Sequence, residues 1–239
     1  MAEYLLIHGA WHGAWCWSDT IRRLEEAGHR ARAIDLPTQG EDHRPVAGVG
    51  LQDWIDTVVT ELRSFDRPPV LVGHSMGGMV ITGAADAVPE LVAKAVYVCA
   101  FLPQDGESLM EIASRPECLT DTALIQEPTA DGLCVTVTPE SARAGFYGHC
   151  AEADIAAALP RLRPLPIKTV LDPIRLRHAT SPVPRHFIAG TEDRAMPIAL
   201  QRYLISRSPG IAVTTLDSDH SPFLSHPEAL LDALIQNQL

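Results

Sequence analysis

Of the 239 residues only five are cysteines, Cys16, Cys99, Cys118, Cys134 and Cys150, an odd number without C-x-x-C spacing. That arrangement fits neither a disulfide framework nor a thiolate zinc site, so reduced, structural thiols are expected. Basic residues are also scarce: 19 Lys and Arg stand against 30 Asp and Glu, the net charge is −11, and no basic run exceeds the Arg22-Arg23 pair. Without a phosphate-tracking basic face, nucleic acid is a poor partner. No stretch approaches the roughly 20 apolar residues that span a bilayer. The opening apolar run, residues 4–7, is too short for the core of a signal peptide. A soluble, cytoplasmic protein is the expectation. No H-E-x-x-H pattern, internal repeat or low-complexity segment occurs, and scattered His and Asp residues are no warrant for a metal site, so none is expected.

What remains is ordinary globular material, 46% hydrophobic and 21% charged, enough to cover both faces of a parallel sheet. Residues 4–7 read as a short buried strand, and the Gly-, Ala- and Trp-rich stretch after His8 suits a loop that approaches a ligand or another backbone closely. Ser18 is placed to cap a helix running to about residue 27, with Gly28 as its stop. Residues 30–36 form a second strand ended by Pro37, and Leu51, Trp54, Ile55, Val58, Val59 and Leu62 mark an amphipathic helix. A strand at 70–72, a small-residue helix at 77–87 and a strand at 95–98 follow. Such alternation implies an α/β fold with a parallel sheet, right-handed crossovers and helices on both faces. Ligands then bind beyond the C-terminal ends of the strands. From residue 103 to 184 the pattern lapses into Pro-rich mixed segments with one helix near 151–162. Strands at 186–189 and 212–216 then flank a helix at 197–206, and a last helix covers 227–238. The expected organisation is a core of residues 1–102 and 185–239 with an inserted cap at 103–184.

Gly73-His74-Ser75-Met76-Gly77 matches G-x-S-x-G, preceded by a strand and followed by a helix, the context that gives this motif meaning. Glycines without Cβ atoms let the chain turn sharply, which forces Ser75 into a strained, exposed position at a helix N-terminus. A serine hydroxyl needs a base, and the base needs a carboxylate to orient it, in the chain order Ser, acid, His. Asp193 lies in the loop after the strand at 186–189, and Glu192 beside it is the competing carboxylate. His220 follows the last strand and precedes the C-terminal helix, where the order requires a base. His12, His29, His43, His149, His178 and His226 lack a comparable setting and read as loop histidines at the solvent-facing surface, while His8 and His74 read as braces for the loop and the turn. The backbone N–H groups of Ala10 and Met76 are the candidate oxyanion donors. Trp11, Trp15, Trp17, Phe101, Phe146 and Phe223 could build an apolar pocket or simply pack the interior.

The stretches His8-Gly9-Ala10-Trp11-His12-Gly13-Ala14-Trp15, Gly73 to Gly78 and Asp219-His220-Ser221-Pro222-Phe223 together resemble the esterase and hydroxynitrile-lyase branch of the α/β-hydrolases, which includes plant methylesterases and small bacterial esterases. The resemblance runs from Tyr4 to the last helix, the cap matching only loosely. It implies an α/β-hydrolase fold, a cofactor-free Ser75–His220–Asp193 triad, an acyl-enzyme and a small-molecule ester substrate. Cyanohydrin-cleaving members carry a threonine in the first oxyanion loop and a lysine directly after the catalytic histidine. Those positions correspond to Gly9 and Ser221, so no cation is present to stabilise departing cyanide. Ester hydrolysis is the preferred reading. The alternatives are a lyase-like C–C cleavage on the same site and a non-catalytic small-molecule receptor. Cap residues would choose the substrate, and a homodimer stays open.

Overall fold

Strand residues alternate between two hydrophobic layers, and that alternation builds the molecule. The computed structural model describes residues 1–119 and 122–236. Its first part contains β1 (Glu3–Ile7), α1 (Ser18–Glu26), β2 (Arg30–Ile34), α2 (Leu51–Leu62), β3 (Val70–His74), α3 (Gly77–Ala87) and β4 (Lys94–Val98). Between residues 103 and 184 come α4 (Leu109–Ala113), α5 (Pro116–Leu119), β5 (Gln126–Pro128), β6 (Cys134–Val137), α6 (Pro139–Phe146), α7 (Glu152–Ala158), β7 (Leu165–Pro166) and α8 (Ile167–Leu171). The chain returns with β8 (Arg185–Gly190), α9 (Ile198–Ser206), β9 (Ala212–Leu216), α10 (Pro222–Ser225) and α11 (Pro227–Gln236). Positions 237 and 238 of the expected last helix lie outside the described residues.

The main sheet has the order β2-β1-β3-β4-β8-β9, and every neighbouring pair runs parallel. Tyr4, Leu6, Val70, Val72, Val96 and Val98 face α1, α10 and α11 across one layer. Leu5, Ile7, Leu71, Ala95, Tyr97 and Phe187 face α2, α3, α9 and the inserted segment across the other. Both faces are covered, which is why β1, β3 and β4 read as unbroken apolar runs. None of the described helices is long and apolar enough to cross a membrane.

Two expectations change here. Ser18 does not cap α1: a 3-10 turn over Ala14–Trp17 leads into the helix, Trp17 holds the cap position, and the Ser18 hydroxyl donates to the Trp15 carbonyl at 2.8 Å. Gly28 does end the helix, at φ +84°. The segment after residue 103 is also more regular than its sequence suggests. Among the described residues it holds five short α-helices and a separate antiparallel sheet, β5-β6-β7. Strands of three, four and two residues are too brief to leave an alternation in the sequence.

Candidate active site

Ser75 stands between β3 and α3 with φ +51°, a left-handed conformation for a residue that carries a side chain. Its surroundings enforce that turn. A Cβ on Gly73 would lie 2.7 Å from the Gly77 carbonyl oxygen, and one on Gly77 would lie 2.8 Å from that of His8. The motif glycines thus provide close approach, and the strain falls on the serine. The Ser75 N–H donates to the Val98 carbonyl at 3.2 Å, and its carbonyl accepts from Phe101 N–H at 3.0 Å, tying the turn to the end of β4.

The candidate acid and base, Asp193 and His220, follow the ends of β8 and β9. Asp193, 3% exposed, accepts from the N–H groups of Ala195 and Met196 at 2.8 and 2.7 Å through Oδ1. Its Oδ2 accepts from His220 Nδ1 at 2.7 Å and from Gln201 Nε2 at 3.2 Å. Four donors fix the carboxylate, and the bond to Nδ1 leaves Nε2 of His220 for the cavity that His220 lines. Glu192 turns the other way: its carboxylate lies 3.0 Å from His149 Nε2, with its side chain more than half exposed.

Ser75 and His220 share the wall of a cavity of about 360 Å³ with Ala10 and Met76. Neither the Ala10 N–H nor the Met76 N–H donates to another group among the described residues, so both are free to meet a ligand oxygen. Trp11, Phe101, Leu109, Phe146 and Met196 make the wall predominantly apolar. Of the six aromatic pocket candidates, Trp11, Phe101 and Phe146 line the cavity, whereas Trp17 and Phe223 are buried in the opposite layer and Trp15 packs beside it.

Histidines brace this arrangement from behind. His74 Nε2–H donates to the His220 carbonyl at 2.8 Å, and burial pushes its pKa well below the ordinary value, keeping the ring neutral. His8 donates from Nδ1 to the Gly9 carbonyl at 2.7 Å and accepts the Leu36 N–H at 3.1 Å. His12 is not the surface histidine expected. It is 1% exposed, donates from Nδ1 to the Ala10 carbonyl and accepts the Tyr147 hydroxyl, each at 2.8 Å. Burial lowers its pKa to about 3. Two further residues escaped the sequence reading. Gln201 donates to Asp193, Gly190 and Met196 from the inner face of α9, and an amide among Leu200 and Leu204 was its signal. Asp219, 1% exposed, sits directly before His220.

The fold and this site define a class. The chain belongs to the alpha/beta hydrolase family, which matches residues 4–233, and to its esterase branch. Methylesterase 18 of Arabidopsis thaliana is 30% identical over 252 residues, covering 98% of this chain and 96% of its own length. Esterase PIR7B of Oryza sativa subsp. japonica is 29% identical, covering 98% of this chain and 94% of its own. A solved methylesterase from Arabidopsis superposes with a TM-score of 0.86 at 26% identity, covering 99% of this chain and 98% of that one. The chain spans only 63% of one longer Arabidopsis thaliana relative that carries a methylesterase name, at 30% identity.

Proposed function

We propose that the protein hydrolyses small or medium apolar carboxylic esters through Ser75, His220 and Asp193. One observation carries the reading: the strained serine, the Asp193-bound histidine and two free amide N–H groups face a single apolar cavity. Ser75 Oγ attacks the ester carbonyl while His220 Nε2 takes its proton, and the Ala10 and Met76 N–H groups hold the oxyanion. Nε2 returns the proton to the departing alkoxide. Water, deprotonated by the same nitrogen, then attacks the acyl-enzyme, and the carboxylic acid leaves as Ser75 recovers its proton. Asp193 keeps Nδ1 protonated and stabilises the imidazolium. Residues 103–184 act as a cap, since Leu109, Met110, Leu124 and Phe146 from that segment form much of the cavity wall.

The test is hydrolysis of short-chain p-nitrophenyl esters together with labelling by a fluorophosphonate, with Ser75→Ala and His220→Ala alongside. Both variants should be inactive and unlabelled. Wild-type protein that takes up no label, or label found on a residue other than Ser75, ends this reading.

A further inference from the structure

The mechanism above gives no work to Asp219, although burying a carboxylate this deeply is costly unless it is fully hydrogen-bonded. Here it is. Oδ1 accepts from the Ser225 hydroxyl at 2.6 Å and the Ser221 N–H at 3.1 Å. Oδ2 accepts from the His149 N–H at 2.8 Å and the Cys150 thiol at 3.5 Å. Ser221 belongs to the turn that carries His220 and Ser225 to α10 directly after it, whereas His149 and Cys150 lie in the loop after α6. The neighbouring acid loop is tied to the same two places: Glu192 N–H donates to the Ser218 carbonyl at 3.0 Å, and its carboxylate meets His149.

We propose that Asp219 is a positioning residue for the ester-hydrolysing site, its carboxylate fastening the His220 turn to the cap loop at His149-Cys150 so that base and cavity roof are held as one unit. The inference rests on His220 being the base. An Asn at this position keeps the size but presents an NH₂ group to donors on one side, so at least one side of the clasp opens. Loosening the turn moves Nε2 relative to Ser75 without removing any group that touches substrate, and a displacement of about 1 Å is worth roughly 100-fold in rate. The loss should therefore fall on kcat.

The experiment measures kcat and KM on p-nitrophenyl butyrate for the full chain, with thermal unfolding followed in parallel. Asp219→Asn should lower kcat by about 10- to 100-fold with little change in KM. Ser225→Ala, which removes one charge-assisted bond and leaves the carboxylate in place, should lower kcat by about 10-fold. Should Asp219→Asn fail to fold, Ser225→Ala and Cys150→Ala decide the matter: reduced kcat at steady KM supports the clasp. Wild-type kcat in both, or a change confined to KM, overturns it. His220→Ala separates the two readings. If that variant stays active, the base assignment falls and this inference with it; if it is dead while the Asp219, Ser225 and Cys150 variants match wild type, only the clasp is wrong.

Discussion

The sheet and the inserted segment solve different problems with the same chain. In the sheet, strands of five or six residues run in unbroken register, and Ser75, Asp193 and His220 sit in turns beyond three strand ends. Packing around Ser75 leaves no slack: a Cβ on Gly78 would meet the Phe101 carbonyl oxygen at 2.0 Å. In residues 103–184, helices of four to eight residues and strands of two to four contribute Leu109, Met110, Leu124 and Phe146 to the cavity wall, and Met110, Ile125, Leu133 and Leu171 are at least 40% exposed. Reacting groups need sub-ångström placement, which a rigid sheet supplies. An apolar cavity wall needs only size and surface, which short elements supply as well.

The strongest way to break that contrast is to cut the sheet side. Ser75→Ala and His220→Ala should each lower kcat by about a millionfold, and the double variant should lose no more than either one, because the two act as a unit. Esterase assays at high enzyme concentration measure this, and additive losses would show that the residues work separately. Next in size is Gly9→Ala. The added methyl would lie 2.8 Å from Ser75 Cβ and 2.9 Å from His74 Nδ1, displacing the Ala10 N–H. Losing one oxyanion donor costs roughly 100- to 1000-fold in kcat, and a variant with wild-type kcat would remove Ala10 from the oxyanion site.

The same contrast explains what could be read from the sequence. Helix 77–87 and strand 212–216 were legible to the residue, the first as a small-residue run that follows the G-x-S-x-G turn and stops before Pro89, the second as a β-branched run that follows Gly210. The placement of Ser75, Asp193 and His220 in turns after strands was legible because apolar runs precede all three. His12 was not, since a histidine four residues after His8 in a Gly-Trp loop carries no periodicity, and only the fold brings Tyr147 to it, 135 residues away. Asp219 was hidden for a similar reason: its partners at His149 and Cys150 stand about 70 residues upstream. Local pattern reports local structure, whereas polar contacts between the two regions are properties of the closed fold.

Stability should fall in acid. His8, His12, His74 and His186 are all buried with pKa values lowered by burial, to about 3 for His12 and about 4 for His186. Unfolded, each ring takes up a proton near 6.5, whereas in the folded protein burial holds protonation off to lower pH, furthest for His12, His74 and His186. Below about pH 6.5 the unfolded chain therefore binds more protons, and stability declines as the pH falls. Urea midpoints at pH 7.5, 6.0 and 5.0 should drop in that order, over a window that lies above ordinary carboxylate titration. His12→Gln should flatten the slope, and a slope identical to wild type would show that His12 shares no part of it.

The smallest effect belongs to the insertion, and it is the test that sharpens the contrast most. Met110 lines the cavity from α4 and is 40% exposed, so truncation removes apolar contact with substrate while leaving every reacting group in place. Methylene-scale changes in an apolar pocket are worth about 1–3 kcal/mol of discrimination, and partial exposure puts Met110→Ala at the lower end. Hydrolysis of p-nitrophenyl acetate should match wild type, because a two-carbon acyl group does not reach the roof. Hydrolysis of the hexanoate should lose roughly 3- to 10-fold in kcat/KM, mostly through KM, since contacts made equally in the ground and transition states change binding alone. A kcat loss shared by both esters would mean that the roof positions the reacting groups as well, and the division of labour between sheet and insertion would then have to be redrawn around contacts such as those of Asp219.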